Sequence, residues 1–165
     1  MLILIIPFED IEREVIETLK DHLPSFIKAK TSVYRQLPLP NCRWSGQQAN
    51  ATDFIEVIRE AAALEAADYA VGVTKTDLYD FFNPELNYLF GFASGNSCII
   101  STARLQGDFL KTRVLKEAVH QLGRCLGIDH CEDRKCVMFN PNSVNEVDGK
   151  NRGFCSKCKE KLKIK

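Results

Sequence analysis

The apolar positions of the chain follow two alternating periods, and this predicts strands interleaved with helices. Short apolar runs typical of buried strands occupy residues 2–6, 26–34, 69–73, 86–93 and 98–102. Helical spacing of apolar residues predicts three helices, at residues 9–22, after a cap at Asn50 or Thr52, and at residues 107–126. Residues 38–49 and 76–84 read as connections, and the chain beyond residue 126 is irregular. Strands that alternate with helices favour one layered α/β domain over residues 1–165.

Composition narrows the choice of compartment and partner. The 22 basic and 22 acidic residues balance, so no global field favours nucleic acid, although lysines recur near the C-terminus (Lys157, Lys159, Lys161, Lys163 and Lys165). The apolar run at residues 1–6 is too short for a secretory signal, and no stretch of about 20 apolar residues predicts a membrane span. The chain has 7 cysteines, which without an export signal favour metal ligation in a reducing compartment. We therefore expect a cytoplasmic protein without a membrane or nucleic-acid partner.

Four of the cysteines have the spacing of a zinc site. Cys131 and Cys136 form one close pair, and Cys155 and Cys158 form the second pair after an intervening loop. Two such pairs are typical of tetrahedral zinc, with an iron centre as the alternative. Four sulfur ligands leave no open position, so the predicted ion is structural. The remaining cysteines are interpreted as small buried apolar residues (Cys42, Cys98 and Cys125).

Residues 120–131 read H-Q-L-G-R-C-L-G-I-D-H-C, which has the spacing of the metzincin zinc signature H-E-x-x-H-x-x-G-x-x-H. His120, Gly127 and His130 occupy the expected positions, with the glycine at a sharp turn. Gln121 stands where the signature has the catalytic glutamate, and Arg124 stands where it has the second histidine. The apolar stripe of this helix predicts that His120 and Arg124 point away from the sheet toward a cleft.

The chain resembles the archaemetzincins over roughly residues 70–160. The resemblance rests on a cysteine that directly follows the third histidine, on Cys136-Val137-Met138, and on the closing C-x-x-C pair. It implies a compact metzincin-like zincin domain, with a mixed twisted sheet and packed helices. Residues 1–127 would be the upper part with the active-site helix, and residues 128–165 an irregular, zinc-stabilised lower part. Met138 would be the methionine of the turn beneath a catalytic zinc.

The two departures from the motif change the functional prediction. Glutamine has no titratable group, so Gln121 cannot act as a general base. Arg124 offers only donors and stays charged, so it cannot ligate zinc, and a second ion in the cleft would have only His120 and His130 as ligands. We predict a homologue that keeps the structural zinc and lacks normal peptidase activity, with a peptide or small anion in a cleft made positive by Arg124.

Two alternatives stay open. One is a working zinc metallopeptidase or aminopeptidase in which water and a carboxylate, such as Glu117 or Asp129, replace the missing ligand. The other is a zinc-ribbon-like module that binds nucleic acid through the basic C-terminal residues.

Overall fold

The computed structural model describes residues 1–163, which form eight strands and five helices. In chain order these are β1 (Leu2–Pro7), α1 (Arg13–Phe26), β2 (Lys30–Val33), β3 (Trp44–Ser45), β4 (Gln48–Asn50), α2 (Ala51–Leu64), β5 (Tyr69–Thr74), β6 (Leu78–Tyr79), β7 (Gly91–Ser94), β8 (Ser97–Ser101), α3 (Leu110–Cys125), α4 (Val144–Gly149) and α5 (Ser156–Lys163). Strands and helices thus alternate through most of the chain, which confirms the predicted α/β class.

The main sheet has the strand order β2-β1-β5-β8-β7, and a smaller sheet has the order β3-β4-β6. Strand β7 runs antiparallel to β8, whereas the other pairs of the main sheet are parallel. The alternation of side chains along β1 assigns the two faces. Ile3 and Ile5 face the core with α1 and α3, while Leu4 and Ile6 face the core with α2.

Helix α3 is buried from Val114 to Gly123, because this part lies between the sheet and the lower part of the molecule. Its apolar side packs on the sheet, and Met138, Val147 and Phe154 of the lower part belong to the same core cluster. Four polar residues of α3 are therefore buried too (Lys116, Glu117, His120 and Gln121). This burial makes α3 the element that positions the candidate site.

Several predicted ends of helices and strands are wrong, and each has an identifiable structural cause. Helix α1 starts after Glu9, whose positive φ of 58° turns the chain, and it continues through Pro24 because Leu23 extends the buried stripe. The strand predicted at 26–34 is accordingly reduced to β2. The strand predicted at 86–93 begins only at Gly91, since the preceding residues form turns. Asn50 precedes α2 as predicted, but its side chain bonds to Thr52 and to the backbone N–H of residue 81 and makes no cap bond.

Segments read as connections or as irregular contain regular structure. Residues 38–49 hold β3 and part of β4, residues 76–84 hold β6, and the lower part holds α4 and α5. Cys98 is buried as predicted, but Cys42 and Cys125 are only half-buried, since one lies in a loop and the other ends α3. Lys157, Lys159 and Lys161 are exposed on α5, and Lys165 lies outside the described residues. Among residues 1–163, no helix combines the length and apolar character needed to cross a bilayer.

Candidate metal centre and cleft

The four cysteines converge as their spacing predicts. Their sulfur atoms all lie within 4.8 Å of one another, with Cys131 and Cys155 at 3.8 Å and Cys136 and Cys158 also at 3.8 Å. Tetrahedral zinc with bonds of about 2.3 Å separates its sulfur ligands by about 3.8 Å, so the donor set fits this ion. The Cys136 sulfur also accepts the backbone N–H groups of residues 138 and 155. Backbone geometry therefore helps to hold the ligand set together.

The end of α3 directs the chain toward this centre. Gly127 has a φ of 78°, its N–H donates to the carbonyl of Arg124, and the N–H of Ile128 donates to the carbonyl of Gly123. These two bonds form a Schellman motif, and the buried Ile128 supplies its apolar contact. The turn thus depends on backbone bonds and brings His130 back toward the helix.

The prediction that His120 opens toward a cleft is wrong. His120 is only 2% exposed, and the ring of the exposed His130 stacks over it with centroids 5.3 Å apart. Its Nδ1 lies 2.8 Å from the carbonyl oxygen of Val137, which can only accept, so Nδ1 carries the proton and Nε2 keeps its lone pair. Burial lowers the pKa of His120 to about 4. Burial and the neighbouring Arg124 also lower the pKa of His130.

Met138 lies beneath α3, where the resemblance placed it. It is fully buried, and its carbonyl accepts the N–H of Cys131 at 3.0 Å. A side chain at Gly123 would overlap the Met138 sulfur, so this glycine allows helix and turn to pack closely. The helix, the methionine turn and the cysteine centre are therefore joined directly.

A buried ion pair that sequence reasoning missed lies beside His120. The ammonium of Lys150 donates to Glu117 Oε1 at 2.9 Å, to the Val137 carbonyl at 3.1 Å and to the Phe139 carbonyl at 3.2 Å. The side chains of Lys150 and Glu117 are 0% and 1% exposed. The Val137 carbonyl thus accepts from both His120 and Lys150. The two charged residues are 33 positions apart, and no local pattern in the sequence signals their pairing.

Arg124 does not lie over the buried histidine. It is half-exposed, and its Nη1 donates to Asp129 Oδ1 and to the Ile128 carbonyl, each at 3.2 Å. Both candidate replacement carboxylates are thus paired with a cation, Glu117 with Lys150 and Asp129 with Arg124. Within residues 1–163, the cysteine group is the one place where three or more potential ligand side chains converge. The residues around His120 and His130 therefore do not fit a catalytic zinc.

A cavity of about 290 Å³, which we call the α3 cavity, lies between α3 and two loops. Its lining comprises residues 85–91, Glu117 and Gln121 of α3, and residues 140–142. At one side the hydroxyl of Tyr88 donates to the carbonyl of Asn142 at 2.7 Å. Gln121, at the position of the missing glutamate, faces this cavity, whereas Arg124 and the two histidines are not among its lining residues.

Comparisons with known proteins place these features in context. A model of peptidase family M54 matches residues 3–164. An archaemetzincin of Methanocaldococcus jannaschii is 34% identical over 174 aligned positions, covering 98% of this chain and 93% of the relative. A crystal structure of archaemetzincin from Methanopyrus kandleri superposes with a TM-score of 0.89 at 30% identity, covering 99% and 94% of the two chains. One from Archaeoglobus fulgidus, complexed with malonate, gives a TM-score of 0.85 at 32% identity, covering 98% and 99%. The family match includes both cysteine pairs, so these do not form a separate zinc-ribbon module.

Proposed function

This chain belongs to peptidase family M54, the archaemetzincins, and from that premise we propose that it is a homologue that does not hydrolyse peptides by the metzincin reaction. The resemblance read from its motif is confirmed by the match over residues 3–164. The observation that carries the proposal is the pair of substitutions on α3, Gln121 and Arg124, in a site with no replacement for either.

No residue of α3 can take over the proton transfer that the glutamate of the metzincin signature performs. A carboxamide cannot take a proton from water, and general-base catalysis contributes about 10²–10⁴-fold to rate. Glu117 lies one turn before Gln121, but its carboxylate is bound to the buried Lys150 at 2.9 Å. Freeing it would leave a buried ammonium without its counter-ion, which is unfavourable by several kcal/mol, about 3–5 in comparable cases.

The set of ligands for a catalytic zinc is also incomplete. His120 presents an unprotonated Nε2, and His130 stacks beside it, but the third position holds the guanidinium of Arg124. Asp129, the remaining candidate ligand nearby, is engaged by that same guanidinium. Two imidazoles beside a fixed positive charge make a weak zinc site.

The cysteine centre supports a structural zinc in the same proposal. Metal binding to such a set becomes folding free energy, because the unfolded chain has no preformed site. Thiolate ligands persist in a reducing compartment, so we propose the cytoplasm as the location.

Zinc stoichiometry tests the proposal without knowledge of a substrate. We expect one zinc per chain in the wild type and two in Arg124→His, because that variant has three imidazoles and frees Asp129. His120→Ala in the Arg124→His background is the matched control and should return the count to one. The double variant Gln121→Glu/Arg124→His should gain chelator-sensitive peptide hydrolysis that the wild type lacks. Two zinc ions in the wild type, or wild-type cleavage abolished by chelator and by His120→Ala, would contradict the proposal.

Besides zinc, a small carboxylate is a candidate ligand of the site, because the Archaeoglobus fulgidus archaemetzincin structure is complexed with malonate. Arg124 is the group that would bind it here, through the guanidinium that now bonds to Asp129. Asp129→Asn should then strengthen malonate binding and Arg124→Gln should abolish it, as measured by calorimetry. Equal malonate affinity in all three proteins would exclude Arg124 as the anion-binding group.

A further inference from the structure

The α3 cavity is lined by a glutamine whose amide has no hydrogen-bond partner among the described residues. Gln121 is 7% exposed, and its side chain makes no hydrogen bond to any other residue within the described part of the chain. No fully enclosed side-chain nitrogen or oxygen in residues 1–163 lacks a partner, so the amide atoms of Gln121 must reach the open space of the cavity. The carboxamide is thus open to solvent through the cavity, and a ligand that forms hydrogen bonds with it takes the place of water without leaving either group unpaired.

The position of this amide is fixed by its neighbours. A side-chain carbon added at Gly91 would lie 3.0 Å from both Cγ and Nε2 of Gln121, so strand β7 lies directly against the glutamine. On the other side, the backbone of α3 anchors residue 121 between the buried Glu117 and Leu122. A polar group held in this way is preorganised for a ligand.

Charge excludes two ligand classes from the cavity. Its lining contains no arginine, lysine or histidine, so an anion finds no counter-charge there. Of its two carboxylates, Glu117 is already paired with Lys150 and Glu85 is exposed at the rim, so a buried cation finds no free counter-charge either. A neutral group with both a donor and an acceptor matches the free N–H and carbonyl oxygen of Gln121.

We propose that the α3 cavity binds the side-chain carboxamide of an asparagine or glutamine in a peptide, through paired hydrogen bonds with the carboxamide of Gln121. The volume of about 290 Å³ suits one such side chain, and the polar residues of loop 140–142 flank its entrance. This inference rests on the proposed function, because a hydrolysing enzyme would use residue 121 for proton transfer.

The test uses zinc-loaded full-length protein and three probes with one backbone: the N-acetyl, N-methylamide derivatives of glutamine, glutamate and lysine. Binding is measured by calorimetry and by NMR shifts of amides in residues 85–91 and 117–121. We expect the glutamine derivative to bind at least about tenfold more tightly than the other two. Gln121→Leu should remove this preference, while Gln47→Leu, at an exposed turn, should retain it. Gln121→Glu should shift the preference to the lysine derivative, because a carboxylate can only accept.

The outcomes separate this inference from the proposed function. It is overturned if wild type binds none of the probes, if it prefers the glutamate or lysine derivative, or if Gln121→Leu keeps the preference for glutamine. Should Gln121→Leu fail to fold, as judged by zinc content and melting, the shift expected of Gln121→Glu decides the question. None of these results depends on whether peptides are cleaved, which the zinc count and the peptidase assay decide.

Discussion

Replacing Lys150 with a residue that lacks the ammonium should strongly destabilise the protein. Lys150→Met keeps most of the length of the side chain. It leaves the Glu117 carboxylate, which is 1% exposed, without a counter-ion. It also removes the N–H donors to the carbonyls of Val137 and Phe139. Breaking a buried ion pair by removing one partner destabilises by about 3–5 kcal/mol. Such a loss is a fifth or more of the stability of an ordinary domain, which is about 5–15 kcal/mol.

The assay is calorimetric unfolding at fixed free zinc, so that metal linkage is equal for all variants. For a chain of this size, about 3–5 kcal/mol corresponds to a fall in Tm of roughly 6–20 °C. Lys159→Met, at an exposed position on α5, is the matched control and should lie within about 0.5 kcal/mol of wild type. Glu117→Gln in the Lys150→Met background should recover part of the loss, because a neutral amide replaces the unpaired charge. A Lys150→Met protein within about 1 kcal/mol of wild type would refute the reasoning.

Two further predictions concern the metal and the pH. Cys155→Ser should lose one zinc per chain, together with the NMR dispersion of residues 131–158. Cys42→Ser is the control and should retain both. Unchanged metal content in Cys155→Ser would show that Cys155 is not a ligand. Because the pKa of His120 is about 4 in the folded protein and about 6.5 when unfolded, the unfolded state binds more protons between these values. Stability should therefore fall by up to about 3 kcal/mol as pH drops from 6.5 to 4, and His120→Gln should flatten that slope in urea titrations; an equal slope in both proteins would contradict it.

Features that depend on residues close together in the sequence were predictable. The spacing within each cysteine pair and the glycine turn at residue 127 involve neighbours in the chain, and the structure has these residues where they were expected. The orientation of His120 was not predictable, because a helical projection assumes that one face meets solvent. Helix α3 is covered on both sides, so polar residues there are buried with partners from distant segments, as with Glu117 and Lys150. Helix α1 likewise continues to Phe26, beyond the end predicted at residue 22, because tertiary packing buries Leu23.

The carbonyl of Val137 has a consequence for how such a site changes over generations. The oxygen that orients His120 belongs to the main chain. A different side chain at position 137 therefore leaves this oxygen in place unless the turn itself rearranges. The imidazole therefore keeps its tautomer and direction whether or not an ion is bound. Substitutions at positions 121 and 124 of the motif therefore leave this contact of His120 in place.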